Sequence, residues 1–367
     1  MKKYKQLKLS LVGVVWTLLL FQMACKEKES AKPIILKEEE FEVEYDYPAL
    51  RKLSEYAFFT GTMHQLNPVS NLIPYELNSP LFSDYAEKSR FIVLPEGGKM
   101  IYHPTEVFDF PEGAILIKNF YYPLNLTDTT GAKRMIETRL LIRKSGTWEA
   151  LTYVWNDDQT DAFLEIAGKN IDVSWVDANG KSQKVNYSVP SLNQCKSCHW
   201  RNEEMTLIGP SARQLDKSNE LYPGGQNQLI YYRNEGLLAG IPNPTTHIPL
   251  PDYSNPASGN LISRARAYLE INCAHCHRPE GPAKNSALNL LVSETNPVAY
   301  GVGKTPVAAG KGSGGRKYDI VPGKPDESIF IYRMESNEPD IMMPELGRKI
   351  AHQEGIELIK EWIRNMK

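Results

Sequence analysis

The chain has 367 residues, of which 41% are hydrophobic and 23% charged, with a formal net charge of −2. This length exceeds one small domain and fits two or three compact units, while the composition excludes intrinsic disorder and a multi-span membrane protein. Near-neutral charge, turning acidic once the N-terminal lysines are removed, also excludes a basic face for nucleic acid.

Lys2, Lys3, Lys5 and Lys8 precede an apolar run from Leu9 to Phe21. That run has the flanking charge and length of a signal peptide and is too short to span a bilayer comfortably. Gln22-Met23-Ala24-Cys25 and the polar stretch from Lys26 to Glu40 resemble the lipobox and tether of a bacterial lipoprotein, although lipoboxes usually carry Leu where Gln22 stands. The expectation is therefore a signal peptide over residues 1–24, lipidation at Cys25 with membrane attachment through that anchor, and a tether over 25–46. A plain cleaved signal or an uncleaved anchor are the alternatives. Removing residues 1–24 deletes four lysines and no acids, which takes the formal charge from −2 to −6, so a protein partner steered by charge would be basic.

Residues 47–190 carry short β-rich runs: Arg90 to Leu94, Ala114 to Tyr122, Met135 to Arg143 and Trp148 to Trp155. Lys144-Ser145-Gly146-Thr147 and Asn179-Gly180 are hairpin-type turns. A β-rich domain of sandwich or barrel type is expected there. After Ser191 the pattern changes to helical segments between Gly/Pro-rich loops, with a first haem-type segment over 191–260 and a second over 261–367. Helices are expected at Ser211 to Asp216, Asn227 to Leu238 and Leu261 to Asn272, and along the apolar face formed by Ile356, Ile359, Ile363 and Met366. The fold class expected overall is multidomain α+β, a β-rich N-terminal domain followed by mainly α-helical cytochrome c-like domains.

Cys25 aside, the cysteines fall in two identical spacings, each followed directly by histidine: Cys195-Lys196-Ser197-Cys198-His199 and Cys273-Ala274-His275-Cys276-His277. Two thiols three positions apart can reach the two vinyl groups of haem, and the adjacent imidazole can bind its iron. A four-cysteine zinc site and a pair of dithiol redox motifs are the competing readings. The histidine after both pairs, in a chain with export signals, favours two covalently bound haem c groups with His199 and His277 on iron. Gly209-Pro210 and Gly281-Pro282 follow the motifs where small c-type cytochromes offer a backbone carbonyl to the proximal imidazole, and Arg213 stands where such proteins often hold a haem propionate.

For the second haem, motif, Ile341-Met342-Met343-Pro344 and a last helix follow in the order of a small c-type cytochrome, so Met343 is expected as the sulfur ligand, with Met342 as the competitor. The first haem has no equal candidate. Met205 lies before Gly209-Pro210 on the expected proximal side, and Met63, His64, His103 and His247 are each more simply surface or packing residues.

Taken together, Pro80-Leu81-Phe82-Ser83-Asp84-Tyr85-Ala86, the Phe108 to Phe120 segment, Glu137-Thr138-Arg139-Leu140-Leu141, Tyr153-Val154-Trp155-Asn156, Ile208-Gly209-Pro210 with Arg213 and Leu215, and Arg266-Ala267-Tyr268-Leu269 resemble a family of exported di-haem c-type cytochromes of Gram-negative bacteria, often lipoproteins. The resemblance covers about residues 47–367 and implies haem and iron binding and electron transfer. Phe110-Pro111-Glu112-Gly113 with Lys118 is also similar to a stretch in β-type cytochromes that cross-link haem to lysine. With no haem motif in that region, it implies β structure alone.

The expected function is one-electron transfer in the cell envelope, periplasmic or cell-surface, between redox protein partners. The alternatives are a di-haem peroxidase- or oxidase-like enzyme using an open first haem, and an electron-accepting subunit of a periplasmic dehydrogenase whose substrate or partner meets the β domain.

Overall fold

Runs of β-branched and aromatic residues separated by tight turns dictate the central sheet. Its strands are β1 (Leu72–Pro74), β2 (Glu87–Val93), β3 (Ile115–Pro123), β4 (Lys133–Lys144), β5 (Thr147–Trp155) and β6 (Ala162–Leu164), antiparallel and in chain order across the sheet. Ser145 and Gly146 both take positive φ, 50° and 77°, so β4 and β5 are joined by a turn whose twist matches the strands. β7 (Lys169–Val176) and β8 (Ser182–Val189) form a separate two-stranded antiparallel ribbon around the turn at Asn179-Gly180. This computed structural model describes residues 49–367 apart from 129–130, 243–246 and 308. The signal segment, Cys25 and the tether lie outside the described residues.

One face of the sheet carries two apolar zones. Ile92, Leu116 and Ala150 belong to a core shared with Phe108, Leu207, Leu215, Leu229 and Tyr232. Phe120 and Val154 join a second core with Val173, Trp175, Val185 and Tyr187 of the ribbon. Between the zones runs a polar row, and the first haem-type segment folds over it.

The expected succession of a β-rich domain and mainly α-helical cytochrome c-like domains is overturned. Helix and strand contribute almost equally, 24% and 26%, so helix does not dominate. The helices after residue 190 are α1 (Leu192–His199), α2 (Ala212–Leu215), α3 (Gln228–Asn234), α4 (Leu261–Leu269), α5 (Ile329–Glu335) and α6 (Gln353–Arg364), none longer than 12 residues. Nor does the boundary at 190 separate two cores. Ala49–Lys367 forms one compact unit, and Leu238–Ala239 pairs in parallel with Met100–Ile101. The physical reason lies in prolines and glycines scattered through 209–260 and 279–325, which interrupt helix propagation. The first segment instead packs on the apolar face of the sheet, and the second packs against α4 and α6.

α4 and α6 each carry the apolar stripe of an amphipathic helix. They share a core that includes Tyr268, Leu269, Ile359, Trp362 and Ile363. They approach so closely that a Cβ on Gly355 would collide with the Tyr268 ring, which is why a glycine sits in the first turn of α6.

Candidate functional site

Ser191 caps α1 by a reciprocal bond with Gln194: the Ser191 hydroxyl accepts from the Gln194 N–H at 3.4 Å and the Ser191 N–H donates to Gln194 Oε1 at 2.9 Å. The helix that follows places Cys195, Cys198 and His199 at i, i+3 and i+4, and therefore on one face. Asn202 and Glu203, both at positive φ, turn the chain back, and the Thr206 carbonyl meets His199 Nδ1 at 2.7 Å. A carbonyl can only accept, so Nδ1 carries the proton and Nε2 keeps its lone pair.

The second motif continues from α4 through one wide turn, Glu270–Ala274. His277 Nδ1 lies 2.9 Å from Ser286 Oγ, whose own proton is directed to the Ala283 carbonyl at 2.8 Å. The hydroxyl therefore accepts from Nδ1–H, and His277 also presents a free Nε2. Burial lowers both imidazoles to about 4, which makes them neutral donors near neutral pH. The partners differ from those expected. Pro210 gives its carbonyl to the Phe108 N–H instead, and Gly281 packs against the Cys276 carbonyl so tightly that a Cβ would collide with it. The second glycine permits close approach to the motif; it does not orient the imidazole.

The two motifs meet. The ligand atoms of Cys198, His275 and Cys276 lie within 4.8 Å of one another. Hydrogen bonding from Cys276, with help from His275 and His199, holds the Cys198 thiol below the usual thiol range. Cys195 instead faces Arg139 and Thr152 of the sheet, and Cys273 is half-buried near Arg348. Among the described residues the four thiols do not converge, as a four-cysteine zinc site requires.

Three of the four motif cysteines, Cys195, Cys198 and Cys273, together with His199, His275, His277 and Met343, line one cavity of about 480 Å³. Its wall is mainly aliphatic and aromatic, with Arg90, Lys118, Arg139, Arg333 and Arg348 as the charged groups on it besides Asp319. Met343 reaches this wall, whereas Met342 is buried in the protein core. No family model, no curated protein and no solved structure matches this chain. The reading of the site therefore rests on its residues.

Other expected residues fall elsewhere. Arg213 pairs with Glu270 at 3.3 Å and donates to the Ile248 carbonyl, off the cavity wall. His64 contacts the Gln159 carbonyl, His103 accepts from the N–H groups of Thr105 and Glu106, and His247 lies between Tyr102 and Asp216. Met205 packs in the core beside the sheet. None of these, nor Met63, lines the cavity.

Sequence reasoning missed the group that ties the two motifs together. Glu106 accepts from Arg201, two residues past His199, at 2.5 Å and from Arg278, directly after His277, at 3.1 Å. Arg278 also pairs with Glu280, whose carbonyl accepts from the Asn202 N–H. Burial would raise the Glu106 carboxyl, but the two guanidinia outweigh it and hold the group below its usual range. Its charge therefore stabilises the fold at pH values above the unfolded carboxyl pKa of about 4.3, and that contribution disappears as pH falls through the lower folded value. Glu106→Gln is expected to lower stability by about 1 kcal/mol at pH 7. Denaturant titrations at pH 7 and pH 3 check this: the gap to wild type should close at the lower pH.

Proposed function

We propose that the protein is an exported di-haem c-type cytochrome that transfers single electrons in the cell envelope, with one haem c at Cys195, Cys198 and His199 and the other at Cys273, Cys276 and His277. The observation that carries this reading is one apolar cavity lined by both motifs, in which each histidine has its Nδ1 hydrogen bond made and its Nε2 free. The donor set fits haem c: paired thiols, a neutral oriented imidazole in each motif and a thioether from Met343 on the same wall. The buried Arg90 Nη2, which has no partner, fits a carboxylate-bearing cofactor as well.

When bound, haem c supplies a reversible one-electron iron couple. The chain's own residues hold that couple in place. Thr206 and Ser286 fix the two imidazoles and raise their basicity. Met343 would offer a thioether to the iron of the second site, which favours the reduced state. The aliphatic wall keeps water away, and the packing of Cys198 against Cys276 puts the two attachment sites in contact. We further propose that Cys25 carries the lipid anchor of a protein facing the periplasm or the cell surface. Among the described residues no helix is long and apolar enough to cross a membrane.

A potentiometric titration of the exported protein, followed optically, tests the proposal. Two one-electron steps and an iron content of two per chain are expected. A single step, or zinc in place of iron at the Cys198–His275–Cys276 cluster, would refute it.

A further inference from the structure

The polar row on the inner face of the sheet is made by residues directly opposite one another. Arg90 on β2 faces Lys118 on β3, Lys118 faces Arg139 on β4, and Arg139 faces Thr152 on β5. Tyr75, just past β1, extends the row beyond Arg90, where its N–H donates to the Arg90 carbonyl. All five side chains line the cavity. Three cations side by side destabilise a sheet unless something compensates them. Arg139 has Glu137, bound through Nε at 2.9 Å and Nη2 at 2.5 Å. Arg90 Nη2 has no partner. Lys118 Nζ makes no hydrogen bond or ion pair among the described residues, and it stands 4.8 Å from the centre of the Phe120 ring.

The row also has a direction. Its Thr152 end meets the Cys195 thiol, and its other end is Arg90 with Tyr75. A haem c is bound by its cysteines along one edge, carries two carboxylates on the opposite edge and has its iron at the centre. Laid along this row with its thioether edge at Cys195, it would bring its carboxylates to the unpartnered Arg90. Lys118, two strand spacings or about 10 Å from Thr152, is the middle residue. A guanidinium has no lone pair to give, so among the five only Lys118 and Tyr75 could bind iron strongly, and Tyr75 is at the carboxylate end.

We propose that Lys118 Nζ is the distal ligand of the iron held by His199, an inference that rests on the di-haem reading above. His199 comes from α1 and Lys118 from the sheet, so the two donors approach from different walls of the cavity. Burial first, and then the charges of Arg90, Lys88 and Arg139, push the amine well below the ordinary lysine range, against the opposing pull of Glu137. A neutral amine on iron also removes the central positive charge from the row.

The test uses the full-length exported protein loaded with haem, its haem count fixed first by mass. Electron paramagnetic resonance and near-infrared magnetic circular dichroism of the ferric form are then compared for wild type, Lys118→Ala and Lys118→Met. Wild type is expected to show two low-spin haems, one with a histidine–amine signature and one with a histidine–thioether signature. Lys118→Ala should lose one of the two low-spin signals at unchanged mass and gain a cyanide-binding site. Lys118→Met should replace the amine signature by a second thioether signature, which decides the matter if the alanine variant does not load. Three results would overturn the proposal: no amine signature in wild type, both low-spin signals surviving in Lys118→Ala, or a peptide joining Lys118 covalently to haem. A wild-type mass carrying fewer than two haems would instead sink the di-haem reading, and so separates the two failures.

Discussion

On the di-haem reading proposed above, a chain carrying Cys195→Ala, Cys198→Ala, Cys273→Ala and Cys276→Ala is expected to lose both covalent haems and, with them, its cooperative unfolding transition. The wall of a 480 Å³ cavity left without its occupant costs up to about 12 kcal/mol at about 24 cal/mol per Å³. Whole domains are stable by only about 5–15 kcal/mol. The cost falls on both halves of the fold, because the sheet residues Leu116 and Ala150 and the C-terminal core residues Leu269, Leu288 and Ile356 line the same cavity. The unfilled chain should therefore keep strand signal in far-ultraviolet circular dichroism while losing near-ultraviolet signal and protease resistance. A sharp melting transition near that of the loaded protein would contradict the assignment of the cavity to haem.

Met343→Ala is expected to leave the haem count unchanged, turn the second haem high-spin and lower one of the two midpoint potentials by on the order of 0.1–0.3 V, within the span of about 0.8 V that axial ligands command. The direction follows from the thioether, which favours ferrous iron. Met342→Ala is the informative comparison. Met342 is buried and off the cavity wall, so its truncation should cost about 2–5 kcal/mol of stability and shift neither potential. Optical potentiometry of the two variants checks both statements. If the change in spin state follows Met342, the ligand has been misassigned.

Much of the local structure was legible because it depends on local rules. The runs Arg90 to Leu94, Ala114 to Tyr122, Met135 to Arg143 and Trp148 to Trp155 became strands, Ser145-Gly146 made the hairpin turn, and the apolar face of Ile356, Ile359 and Ile363 became α6. The helical haem domains were not there, because the order of motif, Met-Pro and last helix constrains a few positions and leaves the long segments between them free to be loops. In the site, the cysteine spacing placed both motifs and their histidines, but not their neighbours. Thr206 and Ser286 orient the imidazoles through turns that bring them back 7 and 9 residues later, and no composition rule distinguishes them from other loop residues. Glu106 is separated from Arg201 and Arg278 by 95 and 172 residues.

Lys118, taken in the sequence only as a mark of β structure, carried a further signal. It is a lone lysine in Ala114-Ile115-Leu116-Ile117-Lys118-Asn119-Phe120, a segment apolar on both faces of a strand, whereas Arg90 follows Glu87-Lys88-Ser89 and Arg139 follows Glu137-Thr138. Strand register, which a single sequence does not give, is what turned three isolated charges into one row at the first motif.

Intact mass of the purified protein, measured beside its polypeptide mass after proteolytic mapping, decides between a di-haem chain and an unmodified one. The expected result is a mass increment of two haems, with one modified peptide containing Cys195 and Cys198 and another containing Cys273 and Cys276. An unmodified chain, or free thiols in both peptides, would contradict it.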